Sequence, residues 1–259
     1  MRPVYFDRYP TIHFERDAQG ILLMRLHTNG GPVVYASQNH SDWCAAFYEV
    51  GADRDNQVVI LTGTGDAFIN RFGWDKPNSG PADWDVIYWE GRRMLRNLLD
   101  IEVPVIGAVN GPATIHAELA VLSDITLAAS TATFQDKPHI PFGTVPGDGV
   151  HVVWQELLGI NRGRYFLLTG QKLSAQQALE LGVVNEVLPP EQLLPRAYEL
   201  ARQLAALPPL TRRYSRVALT HRMKRLMDEA LGYGLALEGL AALDTLRPPG
   251  ANESGGNSK

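Results

Sequence analysis

Short apolar stretches alternate with longer segments of helical periodicity through the first 190 residues of the chain. The short stretches are either continuously apolar or alternate apolar with polar residues, as buried and half-buried strands do. They predict strands at residues 11–16, 21–27, 58–63, 103–111, 124–129 and 132–135. Apolar residues that recur every three or four positions predict helices at residues 38–51, 83–100 and 113–122. This alternation of strands and helices is typical of the α/β class.

The pattern changes after Pro189 and Pro190. Residues 191–207 and 210–246 keep helical periodicity without intervening strands, so the sequence predicts two further helices. We therefore expect a core at residues 1–190 and a C-terminal helical region at residues 191–249. Residues 250–259 are rich in Gly, Ser and Asn, which is typical of a disordered tail.

Charge and cysteine content exclude several classes of protein. The chain has 24 Lys and Arg against 28 Asp and Glu, a net charge of −4, and no basic run, which argues against nucleic acid as a partner. Its single cysteine, Cys44, excludes an internal disulfide and a CxxC site and is compatible with a reducing compartment. No apolar run is long enough for a membrane helix, and prolines and charges interrupt the N-terminal sequence, unlike a signal peptide. We expect a cytoplasmic protein with no membrane partner.

Common nucleotide and metal motifs are absent from the sequence. Gly63 and Gly65 follow a predicted strand, but Phe68 stands where G-x-G-x-x-G needs its third glycine. The sequence also lacks the G-x-x-x-x-G-K-[ST] loop, the G-x-S-x-G nucleophile elbow and HExxH. We therefore predict a site that uses neither a metal ion nor a tightly bound cofactor.

Polar side chains concentrate instead in residues 110–149, a stretch otherwise apolar and rich in Gly and Pro. His139 lies in a predicted loop, and Asp148 stands nine residues later between two glycines. A histidine with a carboxylate that orients it can act as a general base toward water. His116 and Glu118 lie early in the predicted helix that follows a buried strand. The alternative is structural, since PGDG is a turn sequence and a lone histidine is often structural or exposed.

Glu238 lies in the predicted C-terminal helix on the same face as Leu231, Leu235 and Ala242. A carboxylate within an apolar stripe is costly to bury unless a partner such as a histidine stabilises it. Glu238 is therefore a further candidate for the site. The alternative is that this part of the helix is exposed and that Glu238 faces water.

Four sequence blocks resemble the enoyl-CoA hydratase/isomerase (crotonase) superfamily. They are VVILTGTGDAF, VPVIGAVNGPA continuing to HAELAVLSDITLAASTATFQ, PFGTVPGDG, and RGRYFLLTGQKLSAQQALELGVVNEVLP. The resemblance extends from about residue 10 to residue 245. It implies a crotonase-like spiral of ββα turns, a C-terminal helical trimerisation layer, and a homo-oligomer that is a trimer or a dimer of trimers. It also implies two backbone N–H groups that stabilise an enolate.

The sequence departs from the hydratases where their acyl-CoA chemistry takes place. Arg and Phe at residues 71–72 stand where the hydratases have Gly and Ala, and residues 115–117 replace their glycine triplet. The first catalytic glutamate of the hydratases is present as Glu118, whereas His139 replaces the second. PGDG replaces their PGAG and introduces Asp148. These departures resemble the β-diketone hydrolase branch of the superfamily, which includes 6-oxocamphor hydrolase.

The resemblance to this branch implies a set of site residues. The matching residues are the catalytic pair His139 and Asp148, the second active-site histidine His116, the C-terminal glutamate Glu238 and the pocket histidine His40. Tyr35 stands where the branch has a pocket tryptophan. We expect Tyr35, Phe72, Trp74 and Phe142 to shape an apolar pocket for a small hydrophobic diketone.

The branch uses no coenzyme A and cleaves the carbon–carbon bond between two carbonyl groups. The resemblance implies retro-Claisen hydrolysis of a cyclic or bicyclic 1,3-diketone, in which His139, oriented by Asp148, activates water. His116, held by Glu238, would stabilise the enolate, with N–H groups at residues 111–113 as further donors. Two alternatives stay open. One is an enoyl-CoA hydratase or isomerase that uses Glu118, and the other is a non-catalytic scaffold or RNA-binding homologue.

Overall fold

The computed structural model describes residues 2–74 and 80–245. The strands of this part of the chain are β1 (Ile12–Arg16), β2 (Ile21–Leu26), β3 (Val34–Tyr35), β4 (Val58–Thr62), β5 (Arg71–Phe72), β6 (Val105–Val109), β7 (Ile125–Ala129), β8 (Thr133–Phe134), β9 (Leu173–Ser174) and β10 (Glu186–Leu188). Its α-helices are α1 (Ser37–Ala52), α2 (Pro81–Asp100), α3 (Glu118–Val121), α4 (Val150–Leu158), α5 (Ile160–Thr169), α6 (Ala175–Glu180), α7 (Pro190–Ala205) and α8 (Pro209–Thr245). The predicted tail at 250–259, and residues 246–249 of the predicted helical region, lie outside the described residues.

A six-stranded sheet with the order β1-β2-β4-β6-β7-β10 forms the centre of the fold. Its strand pairs are parallel except for the antiparallel hairpin of β1 and β2. Every residue of β4 and β6 is buried. Parallel strands covered on both faces need apolar side chains in both directions, which explains the continuous apolar runs of these two strands. The structure confirms the predicted α/β class.

Helices cover both faces of this sheet. On one face, α1 contributes Trp43 and Phe47 to the main core. On the other face, α7 contributes Leu193, Ala197 and Ala201, which pack against the central strands. α7 falls in the predicted C-terminal helical region, but it covers the sheet of the core.

The segment after β6 differs from its predicted form. The sequence predicts a helix at residues 113–122, but α3 begins only at Glu118. Ala113 instead forms isolated β-bridges with two other segments, and His116 has a φ of +45°, in the left-handed region. Histidine is among the non-glycine residues found more often in this region. The chain therefore turns at His116, before the helix starts.

Side-chain hydrogen bonds hold α8 against α2. The buried Arg216 donates to the carbonyl oxygen of Leu98 in the last turn of α2, at 3.3 Å. A cation there satisfies carbonyl groups that have no partner within the helix. Further along α8, the carbonyl oxygen of Leu235 accepts a hydrogen bond from the indole of Trp84 at 3.0 Å, which places Glu238 beside α2. Neither α8 nor any other described helix combines the length and the apolar character needed to cross a membrane.

Candidate active site

A cavity of about 270 Å³ lies between α2, α8, the β3–β5 pair and the loop at residues 138–148. Its wall is mostly apolar and aromatic. The predicted site residues all line this cavity: Tyr35, His40, Phe72, Trp74, His116, His139, Phe142, Asp148 and Glu238. The structure thus brings these nine residues together around one cavity, while their roles stay predictions.

His139 is buried at the start of the short 3₁₀ helix Ile140–Phe142. Its Nδ1 atom lies 2.6 Å from Oδ1 of Asp136. Because an ionised carboxylate only accepts hydrogen bonds, Nδ1 carries the hydrogen in the neutral ring. Nε2 is then the proton acceptor, and this atom faces Asp148 and Glu238.

His116 lies between the cavity and a buried carboxylate. Its Nδ1 atom is 2.5 Å from Oε1 of Glu118, and its ring meets that of Tyr35 edge-on with centroids 4.6 Å apart. Glu118 is 1% exposed and does not line the cavity, and its Oε2 atom has no hydrogen-bond partner among the described residues. His116 is therefore the member of this pair that a ligand can reach.

Asp148 lies between the two imidazoles. Its Oδ2 atom is 3.6 Å from Nε2 of His139 and 3.6 Å from Nδ1 of His116. Both distances are longer than a direct hydrogen bond, so Asp148 acts on the two imidazoles through its charge. The carboxylate is thus placed to interact with both imidazoles.

Two glycines hold Asp148 close to α8. A Cβ atom at Gly147 would lie 2.2 Å from the carbonyl oxygen of Gly234 and 2.8 Å from Cβ of Glu238, so only glycine permits this approach. Gly149 has a φ of +108°, which side-chain-bearing residues rarely adopt. The predicted PGDG turn therefore packs directly on the helix that carries Glu238.

Glu238 comes from α8, where Leu231 and Leu235 are buried as the predicted apolar stripe requires. Its Oε1 atom lies 3.5 Å from Nε2 of His139, and its Oε2 atom has no hydrogen-bond partner among the described residues. Burial raises the pKa of Glu238 to about 7 despite the opposing effect of His139, and the charge of Asp148 adds to the rise. A carboxyl group with this pKa can hold or release a proton near neutral pH.

The orientation of His139 differs from the prediction. Asp148 was expected to orient the ring, but Asp136 binds its Nδ1 atom and Asp148 faces the opposite nitrogen. The physical reason is local: Asp136 lies in the same short loop as His139, whereas Asp148 approaches from the cavity side.

The partners of His116 also differ from the prediction. Glu238 was expected to hold this ring, but Glu238 faces His139, and Glu118 binds the Nδ1 atom of His116.

The backbone N–H groups expected to serve as donors at residues 111–113 differ from the prediction as well. The N–H of Ala113 is not free for a ligand, because it donates to the carbonyl oxygen of Thr133 at 2.8 Å. This β-like pairing replaces the predicted first turn of a helix.

The charges of the cluster favour an anionic Asp148 between two basic imidazoles. Burial lowers the pKa of His139, but Asp148 together with the hydrogen bond to Asp136 raises it more, to well above its usual value. Burial lowers the pKa of His116 too, and Glu118 and Asp148 outweigh that effect and raise it. Burial raises the pKa of Asp148, but the two imidazoles lower it below its usual value. Each imidazole can therefore hold a proton readily beside this carboxylate.

A third imidazole belongs to His40 on α1. Its Nδ1 atom lies 2.7 Å from Oε2 of Glu90, and the other oxygen of Glu90 accepts a hydrogen bond from the hydroxyl of Ser41 at 2.5 Å. The ring lies edge-on to Trp74, with centroids 6.1 Å apart. His40 thus contributes an oriented polar group to an otherwise aromatic part of the wall.

Tyr35 packs at the centre of the aromatic wall. Its ring centroid lies 5.8 Å from that of Trp74 and 6.2 Å from that of Phe72. Burial raises the pKa of Tyr35 well above its usual value, and the charge of Asp148 adds to this. The phenol therefore keeps its hydrogen and can act as a hydrogen-bond donor.

Two groups of side chains could hold a cation. The ligand atoms of His116, Glu118 and Asp148 lie within 4.8 Å of one another, as do those of His139, Asp148 and Glu238. In the second group, Nε2 of His139 is the nitrogen that faces the two carboxyl groups. Histidine and carboxylate ligands suit several divalent metals.

Two carboxylates that bind histidines of the site were missed from the sequence. Asp136 stands three positions before His139 in DKPH. Glu90 lies on α2, where its spacing gives no sign of a contact with His40 on α1. An acidic residue in the same loop as a candidate histidine was the available signal for Asp136, whereas Glu90 had none.

Known proteins match this chain in sequence and in structure. The family model described as enoyl-CoA hydratase/isomerase matches residues 17–238. A short-chain-enoyl-CoA hydratase from Clostridium acetobutylicum is 31% identical over 191 residues, which cover 71% of this chain and 72% of that protein.

Two solved structures resemble the fold. A β-diketone hydrolase from the cyanobacterium Anabaena sp. PCC 7120, bound to (S)-3-oxocyclohexyl acetic acid, has a TM-score of 0.92 and 54% sequence identity, covering 95% of this chain and 99% of that chain. An enoyl-CoA hydratase/isomerase from Mycobacterium paratuberculosis has a TM-score of 0.80 and 25% identity, covering 90% and 93%. Proteins described as hydrolases and as hydratases therefore share this architecture.

Proposed function

The chain belongs to the enoyl-CoA hydratase/isomerase (crotonase) superfamily, and we propose that it is a hydrolase of cyclic or bicyclic 1,3-diketones. The observation that carries this proposal is the cavity wall: His116 and His139 flank Asp148 there, whereas Glu118 lies behind His116. The similarity to a β-diketone hydrolase at 54% identity supports the same assignment. The reaction adds water across a carbon–carbon bond and yields a keto acid.

The lining of the cavity favours a compact, uncharged substrate. A volume of about 270 Å³ with a mostly apolar wall suits a small cyclic ligand. The described residues that line it include no Lys or Arg, whereas phosphate groups such as those of coenzyme A are usually bound by basic side chains. A neutral diketone meets both conditions.

In the first step, His139 acts as general base. Its Nε2 atom takes a proton from a water molecule held near Asp148 and Glu238, and the water oxygen attacks one carbonyl carbon of the diketone. Asp148 stabilises the imidazolium that forms. The product of this step is a tetrahedral adduct with a negatively charged oxygen.

In the second step, the adduct collapses and the carbon–carbon bond breaks. The bonding electron pair passes to the other carbonyl group as an enolate, which protonated His116 stabilises in the manner of an oxyanion hole. The enolate carbon then takes a proton from the carboxyl group of Glu238, and His139 returns its proton to Glu238, 3.5 Å away. One water is consumed and one keto acid is formed.

The alternative is an enoyl-CoA hydratase, which the C. acetobutylicum relative favours by its name. Addition of water to an enoyl thioester would require Glu118 to reach the substrate. Glu118 binds His116 at 2.5 Å and does not line the cavity, so we regard the diketone reaction as the better assignment.

Several buried ionisable groups around one cavity also favour an enzyme over a scaffold, because buried charge without a function is costly.

Mass spectrometry tests this function directly. The protein is incubated with symmetric bicyclic 1,3-diketones in ordinary and in ¹⁸O-labelled water, with crotonyl-CoA in parallel and with EDTA in a further arm. We expect the diketone to gain one water, with the label in the new carboxylate, and the EDTA arm to be unchanged. Hydration of crotonyl-CoA without turnover of any diketone would overturn the proposal. Loss of diketone turnover in EDTA would show that the reaction needs a metal ion and would overturn the metal-free mechanism given above.

A further inference from the structure

We propose that Asp136 is the positioning residue of the general base, which it holds with Nε2 of His139 directed at the reacting water. This inference rests on the function proposed above, because it assigns a role within the same site. Asp136 binds the Nδ1 atom of His139 at 2.6 Å, and both side chains are almost fully buried. Asp136 does not line the cavity, so it acts on the substrate only through His139.

The loop that carries the pair is anchored on both sides. The N–H of Lys137 donates to the carbonyl oxygen of Thr114 at 3.1 Å, and the N–H of Thr144 donates to that of His139 at 3.2 Å. These bonds hold the backbone between Asp136 and His139 in place. The carboxylate and the ring therefore keep one geometry, as preorganised catalysis requires.

Asp148 cannot serve as the orienting group in this arrangement. Its Oδ2 atom lies 3.6 Å from Nε2, the nitrogen that has to stay free to accept a proton. If Asp148 bound the ring N–H, the hydrogen would lie on Nε2 and the basic atom would be Nδ1, turned toward Asp136 and away from the cavity. The two carboxylates thus have different tasks: Asp136 sets the tautomer, and Asp148 stabilises charge on the cavity side.

The burial of Asp136 also argues against a role in folding alone. Its Oδ2 atom has no hydrogen-bond partner among the described residues, and an unsatisfied buried carboxylate oxygen destabilises a fold. Burial raises the pKa of Asp136, against the lowering effect of His139. A neutral amide would bind the ring at a smaller desolvation penalty, but it would not select the Nδ1–H tautomer.

The variant Asp136→Asn tests this role. Its amide can donate to Nδ1 and so favour the Nε2–H tautomer, which cannot accept the proton of water at Nε2. We expect kcat to fall at least about tenfold, the size of effect seen when a group that orients a catalytic histidine is lost, while KM changes little. We also expect the acid limb of the kcat/KM profile to move to lower pH, because Asp136 is one of the groups that raise the pKa of His139.

The other ionisable groups of the described residues that act on His139 include Asp148, Glu238, His116 and, on α4, His151. They are unchanged in this variant, so the shift of the acid limb reports the loss of Asp136. Asp42→Asn is the matched control, since Asp42 is also a buried carboxylate and binds Thr11 at 2.8 Å away from the cavity. We expect this control to leave kcat and the pH profile unchanged even if it lowers the melting temperature.

Nitrogen NMR of ¹⁵N-histidine-labelled protein gives a readout that does not depend on turnover. The spectra are recorded at a pH above the pKa of His139, where the ring is neutral: the wild type should then show the Nδ1–H tautomer for His139, and Asp136→Asn should show Nε2–H. An Nε2–H tautomer in the wild type overturns the proposal even if the variant fails to fold, and so does an unchanged kcat and acid limb in a folded variant. Absence of diketone turnover in the wild type would instead contradict the proposed function and leave the NMR result on Asp136 standing.

Discussion

Two carboxyl groups of the same cavity have opposite pKa shifts, and the cause lies in their immediate neighbours. Asp148 lies between two imidazoles that lower its pKa, whereas Glu238 projects from an apolar stripe where burial raises its pKa to about 7. Environments that separate the pKa values of neighbouring groups are a common way to assign acid and base roles. At neutral pH the anion is therefore Asp148, and Glu238 is the carboxyl group able to donate a proton.

The charge of Asp148 should control the pH at which the site becomes active. In Asp148→Asn we expect kcat to fall at least about tenfold, because the imidazolium of His139 loses its counterion during proton transfer. The active form has a neutral His139, so activity is lost as the pH falls through the pKa of that ring. Asp148 raises this pKa, so its removal should move the acid limb of kcat/KM to lower pH. A pH profile of the variant on a hydrolysed diketone checks this, and an unmoved acid limb would contradict it.

Glu238 should determine the face on which the enolate is protonated. In deuterium oxide, the wild type should place deuterium in one of the two diastereotopic positions of the new methylene group. Glu238→Gln keeps the size of the side chain but cannot donate an acidic proton, so bond cleavage should continue with a lower kcat and with deuterium in both positions. Proton NMR of the product measures the distribution. A single labelled position in the variant would mean that another group, such as His116, is the donor.

The sequence predicted which residues gather at the cavity better than it predicted how they pair. His116, His139, Asp148 and Glu238 stand out because polar residues are rare in their apolar surroundings. Which ring nitrogen faces which carboxylate depends on loop geometry, which spacing along the chain does not contain. Asp136 was missed for this reason, since a residue in a loop has no periodicity that relates it to its neighbour.

At the scale of elements, the strands were the easier part of the fold to predict. In β4 and β6 the side chains on both faces are apolar, so neither face of these strands can be exposed to water. Buried strands of this kind are recognisable from the sequence. The helix predicted at residues 113–122 is shorter because tertiary pairing of Ala113 and the left-handed conformation of His116 override local propensity. The departure from the predicted helix thus lies at the candidate site, where the strained backbone of His116 places its side chain in the cavity wall.

The contact between the PGDG turn and α8 should be sensitive to a single methyl group. In Gly147→Ala, Cβ would approach the carbonyl oxygen of Gly234 at 2.2 Å, so the turn or the helix must move. Overpacking of this kind costs about 1–3 kcal/mol, and a shift of Glu238 away from His139 should also lower kcat. Thermal unfolding and turnover measure both effects. Gly31→Ala is the control, because its nearest neighbour would lie at an ordinary 3.6 Å and we expect neither property to change.

At the scale of the whole molecule, the apolar residues that remain exposed on α8 bear on the predicted homo-oligomer. Tyr233, Leu237 and Leu240 recur at helical spacing and are 68%, 37% and 66% exposed. Scattered apolar side chains are normal at a surface, but a contiguous stripe is typical of an interface. Glu238 belongs to the same stretch of helix, so an assembly that covers this stripe would also support the wall of the cavity.

We therefore expect the protein to form a trimer or a dimer of trimers through the exposed stripe of Tyr233, Leu237 and Leu240 on α8. Mass photometry should give three or six times the chain mass of 28.6 kDa. Leu240→Glu places a charge in the stripe, so we expect it to shift the assembly toward monomers and to lower kcat as the wall around Glu238 loses support. Gln203→Glu adds the same charge at an exposed position on α7 and should leave both unchanged. A wild-type monomer with full activity would show that the stripe covers no subunit interface and that each chain forms its cavity unaided.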